Sequence, residues 1–189
     1  IAEVCEINVV KADLERDPLP QLNASCVVFT EVIEHLNPYY VPDVLRKINR
    51  AMVTRGRLIL TTPNIASLFR RIRLLLGIQP QYIYHVHEYT KEEVEVLVKT
   101  SGFDILQSYY SLVNDLSYIN LKDLRKYLSR RLLSYHMLLK NTIKEPTKTN
   151  VLRALAYPFV KLVPSLRQLI VIVAEKVSET ESKSIERWG

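Results

Sequence analysis

The chain has 189 residues, 48% of them hydrophobic and 24% charged, a balance that suits one folded domain and excludes a disordered polymer. Its longest uninterrupted apolar run, Leu169 to Ala174, is too short to cross a bilayer, and its two cysteines, Cys5 and Cys26, form no CxxC pair, which fits a reducing compartment such as the cytoplasm. The net charge of +6 is unevenly spread: eleven Lys/Arg face three acids between Asp115 and Arg167, so that segment carries +8 and the rest −2.

In chain order, Ile7 to Val10 predicts a strand that ends at Lys11-Ala12-Asp13. Cys26 to Phe29 is an unbroken apolar run and predicts a second strand, buried on both faces. A helix starting near Pro38 or Pro42 carries Val44, Leu45, Ile48 and Met52 on one face. Arg57 to Thr62 predicts a third strand, stopped by Pro63, and Arg70, Arg71 and Arg73 fall on the helix that follows. Thr90 and Glu93 predict a capping box, Val94, Leu97 and Val98 a buried stripe, and Gly102 the helix stop. Phe103 to Tyr110 returns as a strand. Alternation of this kind predicts the α/β class.

Beyond it, Leu121, Leu124, Leu128, Leu132, Tyr135 and Leu139 recur at three- and four-residue spacing. Lys122, Arg125, Lys126 and Arg130 take the other side, so the stretch from Leu116 to Leu139 predicts a basic amphipathic helix. A polar break at Lys144 to Asn150, an apolar helix interrupted at Pro158 and a last buried strand from Leu169 to Ala174 complete the pattern. The expected division is an α/β domain over 1–113 and 168–177, a basic helical insert over 114–167 and a polar tail over 178–189.

Four stretches in order resemble one family. Asp13-Leu14-Glu15 with Pro18-Leu19-Pro20 resembles the acidic turn after the third strand of class I S-adenosylmethionine-dependent methyltransferases. Thr30-Glu31-Val32-Ile33-Glu34-His35-Leu36 resembles the segment leaving the fourth strand, and Arg50 to Arg57 running into Thr62-Pro63-Asn64 resembles the turn into the fifth. His85-Val86-His87-Glu88-Tyr89-Thr90 with Ser101-Gly102-Phe103 is similar to the approach to the sixth. The likeness is to ubiquinone-biosynthesis-type O-methyltransferases and glycan-modifying relatives. It departs at Ala24-Ser25, where the family has Phe-Asp, and at Thr54-Arg55-Gly56, where the family has Pro-Gly-Gly.

The resemblance implies a Rossmann-like sheet that is N-terminally incomplete. The family's glycine-rich turn is absent: Gly56, Gly77, Gly102 and Gly189 stand apart, and Ile7 has no room before it for two strands and two helices. The chain, which starts at Ile1, therefore reads as a fragment, expected to be inactive alone, the alternative being that an associated chain supplies the rest of the site.

The resemblance also implies a site. Asp13 and Leu14 would contact the adenine of S-adenosylmethionine, with Thr30 and Glu31 near the sulfonium; the alternative for Asp13 is an ordinary strand-end turn. Glu31, Glu34 and His35, at i, i+3 and i+4, would share one face, with His85 returning to the same rim; the set suits Mg²⁺ or Mn²⁺, with Fe²⁺ or Zn²⁺ as alternatives, and resembles that of metal-dependent small-RNA 2′-O-methyltransferases. Without metal, His35 or His85 would serve as general base. The bland alternative makes Glu34 and His35 loop ties and His85 a structural histidine. The acceptor expected is a small molecule, a glycan or a lipid-linked compound, with peripheral contact to an anionic membrane through the basic insert and nucleic acid ranked lower. Rival readings are a non-catalytic methyltransferase-like subunit and an anionic-surface binding module.

Overall fold

A computed structural model describes residues 9–112, 115 and 135–177. Four strands form one sheet: β1 (Ala24–Thr30), β2 (Met52–Pro63), β3 (Phe103–Ser111) and β4 (Leu169–Lys176), in the spatial order β1-β2-β4-β3. β1 and β2 are parallel, while β4 runs antiparallel to both β2 and β3, so the last strand is wedged between two that share a direction. The carboxyl ends of β1, β2 and β3 therefore share one rim. α1 (Val41–Arg50), α2 (Leu68–Leu75) and α3 (Lys91–Thr100) lie between strands, and α4 (Tyr135–Lys144) and α5 (Lys148–Leu162) form a helical hairpin before β4.

One face of the sheet holds the core. Phe29, Leu58, Leu60, Ile172 and Ala174 pack there against Val44, Leu45 and Ile48 of α1 and Val94 and Val98 of α3. The capping box forms as its sequence predicts: Thr90 Oγ1 accepts from the Glu93 amide and the Glu93 carboxylate accepts from the Thr90 amide. Gly102 closes α3 at a φ of 88°, where a side chain would be strained and its Cβ would press on Asn49.

Four expectations change. Ile7 and Asn8 lie outside the described residues, and Val9 and Val10, the rest of the expected first strand, are irregular and exposed. β1 is not buried on both faces: Val27 and Phe29 face the core, while Cys26 and Val28, on the other face, are exposed because no described residue packs over them. Met52 does not extend the helical stripe of α1. It opens β2 opposite Ala24, after which the chain bulges before regular pairing resumes at Arg57 opposite Cys26. Finally, Pro158 does not interrupt its helix, which runs from Lys148 to Leu162. Proline lacks the N–H that would bond the carbonyl four residues back, and that carbonyl, on Ala154, instead accepts from the Tyr135 hydroxyl at 3.3 Å.

The bulge explains why Thr54-Arg55-Gly56 keeps its glycine, while the arginine before it has no structural explanation. Arg55 takes the left-handed conformation at a φ of 62°. A Cβ on Gly56 would sit 2.8 Å from the Val53 carbonyl oxygen and 3.0 Å from that of Ala24. Both obstacles are backbone, so Gly56→Ala is expected to destabilise the fold by about 2 kcal/mol, measured by urea unfolding. A loss under about 0.5 kcal/mol, the range of neutral surface changes, would contradict the close approach.

Of the predicted basic helix, 116–134 lies outside the described residues, and α4 holds the remainder. Its inward residue is Leu138, packed with Ala154, Tyr135 and Tyr157, whereas Leu139 of the predicted stripe is exposed. The polar tail from Ser178 also lies outside the described residues.

Candidate functional site

The chain leaves β1 through Glu31, held in the left-handed region at a φ of 54°. Its amide donates to the Thr61 carbonyl at 2.9 Å, and its carboxylate accepts from the Thr61 hydroxyl at 2.9 Å. Burial pushes the Glu31 carboxyl above the usual carboxylate range; the Thr61 hydrogen bond opposes this, and the nearby Glu34 charge adds to it. Thr30, just before, is exposed at the strand end.

A short 3-10 turn, Ile33–His35, then turns Ile33 and Glu34 inward and leaves His35 at the surface. Glu34 is 1% exposed. Its carboxylate accepts from the Thr62 hydroxyl at 3.0 Å, while its backbone carbonyl accepts from the amides of Val86 and His87 at 2.8 and 3.2 Å. One residue thus ties the end of β1 to the end of β2 and to the histidine-rich segment before α3.

That segment delivers His85 to the rim. His85 Nδ1 lies 2.7 Å from the carboxylate of Glu88, a side chain with no exposed surface. The same carboxylate oxygen accepts from Arg70 of α2 at 2.6 Å and from the Tyr82 amide at 3.0 Å. Arg70 also donates to the Pro80 carbonyl. His35 Nδ1 lies 3.2 Å from the Tyr84 carbonyl, and the two imidazole rings meet edge to face with centroids 4.9 Å apart.

These contacts fix the tautomers. A carbonyl only accepts, so His35 carries its proton on Nδ1; an ionised carboxylate only accepts, so His85 does the same. In the neutral form of each imidazole the lone pair then lies on Nε2. His35 Nε2 lies 3.9 Å from the Glu34 carboxylate, and one ligand atom from each of Glu34, His35 and His85 falls within 4.8 Å of the other two. Three Lewis bases gathered this way could share a proton or hold a divalent cation.

The Asp13-Leu14 turn is tied to the same rim from the other side. Asp13 caps its own turn by accepting from the Glu15 amide at 3.0 Å, and its side chain stays half exposed. Glu15 accepts from the Asn37 amide at 2.7 Å, and the Lys47 ammonium donates to the carbonyls of Leu14, Glu15 and Asp17. The structure thus gathers Glu34, His35 and His85, sets Glu31 beside them on Thr61, and links Asp13 and Leu14 to the loop after β1 through Glu15 and Asn37. Sequence reading did not single out Glu88, Thr62 or Lys47. A glutamate three residues after His85 was the available signal for the first.

The family model described as "Methyltransferase domain" matches residues 4–108. No curated protein matches the chain. Among solved structures, a SAM-dependent methyltransferase from Archaeoglobus fulgidus matches at 21% identity and a TM-score of 0.52, over 91% of this chain and 70% of that one. An S-adenosylmethionine-dependent methyltransferase from Mesorhizobium loti matches at 12% and 0.47, over 87% of this chain and 67% of that one. Human N-acetylserotonin methyltransferase, solved in complex with SAM, matches at 14% and 0.46, over 89% of this chain but only 33% of its own length. The Archaeoglobus likeness is one of fold: a Rossmann-like sheet.

Proposed function

The chain belongs to the methyltransferase domain family, and we propose that it moves a methyl group from S-adenosylmethionine to a hydroxyl oxygen of a small-molecule, glycan or lipid-linked acceptor. The carrying observation is the His85–Glu88 pair on the strand-end rim, with His35 edge to face against His85. The residues present suit the cofactor as far as they reach. Thr30 is exposed at a strand end, where ligands of open α/β sheets bind, and the half-exposed Asp13 carboxylate, beside Arg16 at 3.7 Å and the Glu15 amide at 3.0 Å, has further lone pairs for an amino group. S-adenosylmethionine supplies an electrophilic methyl group when bound.

The chain's own contribution is a positioned base. His85, with Nδ1 held by Glu88, takes the acceptor's hydroxyl proton on Nε2 as the oxygen attacks in line, and His35 flanks the same space. Glu34, buried and anchored by Thr62, holds the histidine segment through its backbone carbonyl, and its nearby carboxylate favours an imidazolium once it forms.

A second reading is supported by the grouping of Glu34, His35 and His85. These donors would hold Mg²⁺ or Mn²⁺, whose charge lowers the pKa of a bound hydroxyl. Glu31, whose carboxylate accepts from Thr61, is not one of the three.

The test uses the product of the whole gene and S-adenosylmethionine labelled in its methyl group, offered to phenols, free glycans and lipid-linked glycans. An alkali-stable methyl ether is the expected product, and its loss after chelation would select the metal reading. Label on nitrogen or carbon, or none on any acceptor, would overturn O-methylation.

A further inference from the structure

α2 buries none of its residues and leaves Ile72, Leu74 and Leu75 exposed. Arg70 projects toward the protein, where it meets the buried carboxylate of Glu88. Ile72, Leu75 and Leu76, at i, i+3 and i+4, share the opposite face, and no residue of the helix is buried. Leu75 is 86% exposed and Leu76 68%. Soluble helices turn such a stripe inward, so this pattern needs a partner. The loop that follows continues it: Ile83 is 82% exposed and Tyr84 72%. Arg71 and Arg73 border the stripe, both exposed and both bonded through Nε to backbone carbonyls of their own segment, so their positive charge is held at its edge.

An apolar stripe flanked by guanidinium groups matches the boundary between acyl chains and anionic headgroups. We propose that α2 and the loop up to Tyr84 dock the protein on the surface of an anionic lipid bilayer. Leu75, Leu76 and Ile83 enter the acyl boundary, while Arg71 and Arg73 meet phosphates. This is attachment, not insertion: among the described residues no helix is long and apolar enough to cross a membrane.

The patch adjoins the candidate site. The Tyr84 carbonyl bonds His35 Nδ1, and His85 is the next residue. A docked α2 would bring the rim to the headgroup plane, where the reacting end of a lipid-linked acceptor lies. That consequence rests on the proposed methyl transfer; the docking itself does not, because it is measured without acceptor or turnover.

The experiment is flotation of the full chain with vesicles of phosphatidylcholine alone or with one part in three phosphatidylglycerol. The chain is expected to float with the anionic vesicles and to detach as salt is raised. Both Leu75→Asp/Leu76→Asp and, separately, Ile83→Asp should weaken flotation at least about tenfold, since each takes an exposed apolar group out of the boundary. These side chains are exposed, so the thermal transition should not move. Failure of the parent chain to float, equal flotation of the variants, or capture by single-stranded RNA in place of vesicles would overturn the proposal. Flotation without methyl transfer would leave docking standing and remove only the proposed chemistry.

Discussion

Replacing Arg70 with alanine is expected to cost the fold about 3 kcal/mol, the usual consequence of leaving one member of a buried ion pair behind. Glu88 has no exposed side-chain surface, and one of its oxygens collects Arg70, His85 and the Tyr82 amide. Without the guanidinium, a buried carboxylate would keep one neutral amide and an imidazole. Arg70→Lys should recover only part of the loss, because one ammonium cannot reproduce the planar fork that serves both Glu88 and the Pro80 carbonyl. Arg70→Met combined with Glu88→Gln should be milder than Arg70→Ala alone, since no charge is then stranded. Urea unfolding of the four proteins checks this. Equal stability of Arg70→Ala and the parent chain would mean that the pair does not hold α2 to the segment before α3.

His85→Ala is expected to lower the methyl-transfer rate by about a hundredfold or more, the usual worth of a positioned general base. Cofactor affinity should stay close to that of the parent, because His85 takes no part in the Asp13 or Thr30 side of the rim. His35→Ala should cost less in the proton-transfer reading, where it only flanks His85. In the metal reading the two substitutions should be comparably severe, and added Mn²⁺ should partly restore each by mass action. Single-turnover rates with labelled cofactor separate these outcomes. A His85→Ala protein that turns over at the parent rate would remove His85 from the chemistry.

The fold was legible where local signals agree with packing. The Thr90–Glu93 box, the Val94/Val98 stripe and the closing Gly102 all appear in α3, and Leu169 to Ala174 lies within β4. The reading failed where burial depends on neighbours distant in sequence. An apolar run such as Cys26 to Phe29 reads as doubly buried, yet only the Val27 and Phe29 face is packed among the described residues, and Val28 is left 65% exposed. Pro158 reads as a break, yet the helix continues, and the Ala154 carbonyl that proline orphans accepts a tertiary bond from Tyr135 that no local pattern announces. The spacing of Glu31, Glu34 and His35 suggested one shared helical face, but a left-handed Glu31 followed by a 3-10 turn replaces that helix: Glu34 and His35 gather with His85, while Glu31 stays beside them with its carboxylate on the Thr61 hydroxyl. Glu88 went unread because its spacing from His85 is an isolated signal, and its burial against an arginine 18 residues earlier appears only in the fold.

The central claim is most directly tested by calorimetric titration of S-adenosylmethionine and S-adenosylhomocysteine into the product of the whole gene, with Asp13→Ala and Thr30→Ala variants alongside. Saturable binding of both ligands, weakened in the two variants and retained in His85→Ala, is the predicted result. Absence of binding to the parent protein would contradict methyl transfer and leave a methyltransferase-like subunit without catalysis.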